Sequence, residues 1–236
     1  MQVSLKKAHE LQSGEIDQQY LALVNQFQHF LLRNGINRRT FSAGGLEHFR
    51  LLPIADKEKY FRQLRDYFLI CQDLEEESID ALRNPRQALR SIAFRFRVSI
   101  PEEFINQLTG EEIVEIFDFE GTQLFRNLTF FDISDYTIDD FFGRSWDYLY
   151  ERSKSVTNII LDHVEKVAKM KTCLPLEGPE HYMRERATEN RKIVKVTFGH
   201  IAPLLRDGQA IAWIASTTAK EVLASSDQTG ESIHFI

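Results

Sequence analysis

Histidine, cysteine and arginine supply most of the chemistry in this sequence, and their spacing limits what they can assemble. The seven His are dispersed, with no H-E-x-x-H and no C-x-x-C, so spacing gives no zinc-type ligand set. Cys71 and Cys173 are too few and too isolated for a disulfide framework, which fits a reducing cytoplasm. No G-x-S-x-G elbow and no Gly-rich phosphate loop occurs. His163 lies in line with Val156, Ile159, Ile160 and Val167, so it shares a helix face with an apolar stripe. Arg83, Arg86, Arg90, Arg95 and Arg97 are interleaved with Leu89, Phe94 and Phe96, a basic run that could meet an acidic partner or a phosphate-bearing ligand. Its plainer reading is a solvated helix face balancing Glu75–Glu77. Asp118, Asp132 and His200 become acid–base candidates only if the fold turns them into a pocket. No positive sign of enzymatic activity emerges, and the expectation is a protein that is not an enzyme.

The elements that must position these groups change character once. Residues 1–110 read as all-helical. Ile16, Tyr20, Leu23, Val24, Phe27, Phe30 and Leu31 form one stripe that ends before Gly35. Tyr60, Phe61, Leu64, Tyr67, Phe68 and Cys71 form a second, and shorter helices are expected after Pro85 and Pro101. From Thr109-Gly110 onward strands dominate. Ile113–Phe119, the Glu120-Gly121 turn and Thr122–Arg126 read as a hairpin. Ser153–Lys171 reads as a helix capped by Ser153. Lys192–Phe198, the Arg206-Asp207-Gly208 turn and Gln209–Thr218 read as a second hairpin. No strand is evident between Leu174 and Glu189. The fold class is therefore α+β: a helical bundle over 1–110 (a candidate dimerisation or partner module), an antiparallel sheet domain over 111–223 and a polar tail over 224–236.

Composition is that of a globular chain, with 43% apolar and 27% charged residues and 18 Phe to fill a core. A net charge of −6 disfavours a nucleic-acid binder, which needs a basic face to replace phosphate counterions. No apolar run approaches the ~20 residues that span a bilayer, and no apolar leader follows the first lysines. A cytoplasmic location is expected.

The second segment resembles the PAS family of sensory domains over about residues 112–223. Its first strand and Glu120-Gly121 turn match that pattern. So does Asn127 with an aromatic, Phe131, four residues on. Ser134-Asp135-Tyr136-Thr137-Ile138-Asp139-Asp140-Phe141-Phe142-Gly143-Arg144-Ser145-Trp146 resembles the family's S-G-Y-S-x-E-E-L-L-G-R-P-W stretch. The Asp207-Gly208 hairpin with Ala212-Trp213-Ile214 resembles the last two strands.

The resemblance implies a five-stranded antiparallel sheet, with helices of the Tyr136–Trp146 segment packed on it. The pocket would be lined by Phe130, Phe131, Phe141, Ile160, His163, Val194, Val196, Phe198 and Trp213. It implies a bacterial signalling protein that binds a small ligand or a protein partner and works as a homodimer. With no output domain of its own, it would transmit by contact, Arg83, Arg86 and Arg90 being candidate partner residues. The cofactor is left open. Haem on His163 is conceivable because haem-binding relatives take their axial His from this helix. A flavin–cysteine adduct is excluded because Trp146 stands where the reactive Cys would be. Glu47–Pro53 resembles the phosphoacceptor box of histidine kinases around His48, without the nucleotide-binding domain a kinase needs. Two other classes stay open: a ligand-free scaffold whose core is filled by its own Phe residues, and a small α+β isomerase-type enzyme.

Overall fold

A computed structural model describes residues 2–222 apart from 38, 39, 41, 42, 139, 141–148, 179, 187, 189 and 190, without the side chains of 2–13, 43–45 and 79. The chain forms two compact units, residues 1–69 with 136–143, and residues 70–135 with 144–236. The boundary falls within one helix, so the helical span of residues 1–110 is shared between them.

The first unit holds α1 (Gln2–Arg33), α2 (Ala43–Leu51) and the first part of α3 (Ile54–Glu77). The apolar stripe of α1 is buried from Tyr20 to Leu31, as its spacing requires. Phe27 packs tilted on Phe68 at 4.9 Å, and Tyr20 stacks on Phe49 at 3.7 Å. Gly35, at φ +69°, closes α1: Ile36 N–H donates to Leu31 O and Gly35 N–H to Leu32 O. That is a Schellman end, and a residue with a Cβ is strained at its turning point. Thr40 hydrogen-bonds Val24 O and Gln28, tying the following loop to α1. Asp140 accepts from both the Thr137 N–H and hydroxyl, which caps the turn beginning there. The described part of the 136–146 segment thus belongs to the helical unit, not to the unit holding the sheet. Tyr136 and Ile138 are buried there.

The second unit holds α4 (Pro85–Phe96), α5 (Glu102–Gln107), α6 (Lys154–Met170) and an antiparallel sheet. Asn84 caps α4 by accepting from Arg86 and Gln87 N–H, with Pro85 at the first helical position, and Ser153 caps α6. The strands are β1 (Ile113–Phe117), β2 (Gln123–Arg126), β3 (Tyr150–Glu151), β4 (Leu174–Pro175), β5 (His181–Glu185), β6 (Ile193–Arg206) and β7 (Gln209–Val222). Their order is β2-β1-β7-β6-β5-β3, with β4 beside β6, so the sheet has seven strands, not the five expected. The α+β class and the antiparallel arrangement are as the sequence indicated. In particular, Ile113–Phe117 lies against β7, Ile116 opposite Ile214 and Phe117 opposite Trp213.

Two sequence signals explain this topology. Asp207 and Gly208, both at positive φ, form the two-residue turn that joins β6 to β7. Asn127 is buried, accepts from Val114 N–H and donates to Glu112 O, so its side chain extends the β1 ladder where β2 stops. Strand β5 corrects the expectation of no strand between Leu174 and Glu189. Its inward residues are His181, Met183 and Glu185, and a polar inner face escapes an apolar alternation test. In β6 the register shifts between Phe198 and Ile201, where Ser216 Oγ accepts from His200 N–H at 2.9 Å. The core on one face packs Val156, Ile160 and Val167 of α6 against Phe117, Ile201, Trp213 and Ala215. The alternate residues Ala202, Leu204, Ala212 and Ile214 are buried on the other side. The tail expected over 224–236 lies outside the described residues.

Candidate functional site

The sheet of the second unit curves around a cavity of about 50 Å³ on the α6 side. A single water needs only about 10–15 Å³ on that measure, so the space exceeds a packing defect of one solvent molecule. Most of its wall is apolar: Ile113 and Phe117 from β1, Phe130, Ile160 from α6, Val194, Val196 and Phe198 from β6, and Trp213 and Ala215 from β7. Trp213 stacks on Phe117 at 4.6 Å and donates its indole N–H to Asp118 O at 3.1 Å, which fixes that wall.

Into this apolar surface the strands insert a polar group: Glu115 of β1, Arg126 of β2, Tyr150, Arg152, His181 of β5 and Thr217 of β7. Glu115 and Arg126 are directly opposite each other across the β1–β2 ladder and form an ion pair. Their side chains are only 16% and 7% exposed, so the pair is largely desolvated. The Arg126 guanidinium also lies 3.8 Å over the Phe130 ring, which orients its plane. The His181 ring packs on Phe198 at 4.6 Å. One polar wall group is connected outward: the Tyr150 hydroxyl is 3.4 Å from Ser134 Oγ, which donates to the buried Glu185 at 2.7 Å.

Of the residues expected to line a pocket, Phe130, Ile160, Val194, Val196, Phe198 and Trp213 do meet at this cavity. Phe131 is buried beside Phe130, ring edge to face at 5.7 Å, but is not part of the wall. Phe141 lies outside the described residues. His163 does not reach the cavity either, because its Nδ1 is 2.8 Å from Ile159 O one turn back on its own helix. A ring engaged that way, beside a space far smaller than a porphyrin, does not fit an axial haem ligand. Among the described residues no group of three or more His, Cys, Asp or Glu could hold a metal ion.

The basic run is divided. Arg83 pairs with Asp132, and Arg86 donates to Leu108 O, so both serve the packing of their own unit. Arg95 forms a two-bond bridge to Asp73 at 2.7 and 2.9 Å. Arg90 stays exposed in an open groove with Glu76, Glu77 and Phe94, whose side chain is 89% exposed.

The candidates for acid–base chemistry are not brought together. Asp118 accepts from Glu120 and Thr122 N–H within its turn, Asp132 holds Arg83, and His200 is only partly buried at the β6 bulge. The thiol of Cys173 is pushed up to about 11 by burial and by nearby Glu103, which leaves it protonated and a poor nucleophile at neutral pH.

Sequence reasoning missed Glu115, Arg126, Tyr150, Arg152, His181 and Met183. One signal was available for the first two. In Ile-Val-Glu-Ile-Phe a lone acid sits at the parity of Ile113 and Phe117, opposite an Arg across a short hairpin.

No family model matches the chain, and no curated protein matches it. Among solved structures it is similar to a sensory box sensor histidine kinase from Vibrio cholerae, with a TM-score of 0.27 and 10% sequence identity, over 51% of this chain and 90% of that one. A likeness of that extent carries no argument about fold or function. No helix among the described residues is long and apolar enough to cross a membrane.

Proposed function

We propose that this is a PAS-like sensory protein whose sheet-bearing unit binds a small molecule in the cavity and passes the signal on by contact with another protein. The observation that carries the reading is the cavity itself, larger than a water site, walled by aromatic and branched side chains and studded with a few convergent polar groups. Close-packed interiors leave few voids larger than a water, so one of this size set among polar groups is a candidate place for a bound molecule. This favours ligand binding over the scaffold reading, in which Phe side chains would close the interior. The partner surface fits best at Arg90 and Phe94, where a large exposed ring lies beside a cation at the edge of an acidic groove. The protein works as a cytoplasmic bacterial homodimer in this reading, without catalysis.

Native mass spectrometry of protein purified from cells tests the ligand, together with an Ala215→Leu variant that fills the cavity from its floor. The expected result is a bound mass in the native chain that is lost in the variant, with Ala215→Leu folded and at least as heat-stable once the native chain is stripped of ligand. A native chain carrying no mass, with a melting temperature unmoved by any small-molecule mixture, removes the sensor reading.

A further inference from the structure

We propose that the groove between the last turn of α3 and helix α4 is the surface through which two copies of this chain meet, related by a twofold axis passing over Phe94. This rests on reading Arg90 and Phe94 as a contact surface in a homodimer, and it names the occupant of that surface.

The local packing leaves this groove bare. Helix α4 turns Ala88, Leu89 and Ile92 into the core, so Arg90 and Phe94, one turn apart, face away from it. The Phe94 side chain is 89% exposed, more than any other large apolar side chain among the described residues. Across the groove α3 ends on Glu76 and Glu77, both exposed, with no basic residue in its last turn. Carboxylates there lie at the negative end of the helix dipole and gain from a nearby cation. Among the described residues neither of them, nor Arg90, has a hydrogen bond or ion pair, while the other two charged groups of the groove, Asp73 and Arg95, satisfy each other.

The groove is therefore self-complementary, with two unpaired acids on one side and an unpaired base beside a bare aromatic ring on the other. An isologous contact requires one patch to match its own copy, whereas a patch of a single sign would call for a different protein. The last turns of α3 run antiparallel to α4, because residue 73 lies beside 95 while 76 and 77 share the groove with 90. A second copy turned about the axis lays its α4 against the first copy's α3. Arg90 then meets Glu76 and Glu77 of the second copy, and the two Phe94 rings leave water by packing on one another at the centre.

Sedimentation velocity of the full chain over the micromolar range tests this with three variants, each verified as folded by its melting curve: Phe94→Asp, Arg90→Glu, and Glu76→Arg together with Glu77→Arg. The native chain is expected to dimerise, and each variant alone to bind its own copy about tenfold or more weakly. The decisive sample is a one-to-one mixture of the two charge-reversed variants. Across a twofold contact every reversed position then faces an opposite charge, so the mixture is expected to regain the dimer as a heterodimer that neither variant forms alone.

A dimer that survives all three variants uses another surface, which overturns the inference and leaves the homodimer reading intact. A Phe94→Asp chain that dimerises as the native one does moves the axis off the ring and overturns it. So does loss of the dimer without recovery in the mixture, since the charges then do not pair across the axis. A native chain that stays monomeric overturns the inference and the homodimer reading together. One that is monomeric yet binds a separate protein through Phe94 keeps the contact surface and overturns the second copy as its occupant. The cavity is judged apart from all of these, by the bound mass.

Discussion

Ser134 Oγ donates a 2.7 Å hydrogen bond to Glu185, whose side chain is completely buried at the end of β5. The same carboxyl accepts from Asp135 N–H at 2.9 Å and from the Thr188 hydroxyl at 2.7 Å. His181 and Met183 of that strand line the cavity, and Asp135 directly precedes the segment that belongs to the helical unit. The cavity wall is thus tied, within one unit, to the point where the chain leaves it. Displacement of β5 by a ligand would be felt at Asp135 through one side chain.

Glu185→Ala leaves three donors without their acceptor, and its cost is roughly 3 kcal/mol of unfolding free energy. Glu185→Gln keeps an oxygen in place and recovers part of that. Urea denaturation read by tryptophan fluorescence measures both. An Ala variant within about 0.5 kcal/mol of the parent, the ordinary range of a surface change, removes Glu185 from this role.

Lys57 of α3 is 1% exposed and sits 2.8 Å from Asp17 of α1, in the helical unit. The Asp17 carboxylate compensates a buried ammonium, so Asp17→Asn is expected to destabilise that unit by about 1.5–3 kcal/mol. Changing both together, Asp17→Leu with Lys57→Met, removes the charge along with its partner and is expected to restore most of the loss. Thermal melts followed by helical circular dichroism decide it. A double variant no more stable than Asp17→Asn alone means that the pair contributes shape, not charge compensation.

At the β6 bulge, a Cβ on Gly199 would lie 2.6 Å from Ser216 Oγ and 3.0 Å from Ser216 O. The hydroxyl it would displace is the acceptor for His200 N–H. Gly199→Ala is expected to cost about 1–3 kcal/mol as an overpacked site. Ser216→Ala frees the space but strands the amide, so Gly199→Ala added to Ser216→Ala costs less than Gly199→Ala alone. Strictly additive effects in that cycle would show that the clash is not with the Ser216 hydroxyl.

Where one physical rule acted locally, the sequence was sufficient to read the structure. The stripe from Tyr20 to Leu31, the Gly35 stop, the Ser153 cap and the Asp207-Gly208 turn each follow from residues within a few positions of one another. The pairing of Ile113–Phe117 with β7 followed from a family pattern and could not be reached from local spacing. The polar part of the site was hidden for a different reason. Sheet residues buried on both faces show no alternation, so only the pairing with Arg126 across a short hairpin set Glu115 apart from Val114, and β5 presents His, Met and Glu where an apolar rule looks for Val or Ile. His163 misled in the opposite way, since its stripe position was right but its ring turns back to its own helix.

Glu112 precedes β1, and its carboxyl accepts from Thr109 N–H at 2.7 Å, the Thr109 hydroxyl at 2.9 Å and Gly110 N–H at 2.9 Å. Burial alone would raise its pKa; the Thr109 and Gly110 donors outweigh it and hold the carboxyl below the usual carboxylate range. The folded state therefore binds this proton less readily than the unfolded chain does. Its contribution to stability is present above the unfolded value of about 4.3 and is lost as pH falls through the lower folded one. Glu112→Gln keeps the shape without the charge. The stability gap between parent and variant is expected to be constant from about pH 7 down to about pH 5 and to shrink below that. Urea midpoints between those limits and about pH 3 measure it, provided the chain still unfolds in one step there. A gap that holds its size to the acid end means that the donors fix the geometry of the turn without favouring the charged carboxylate.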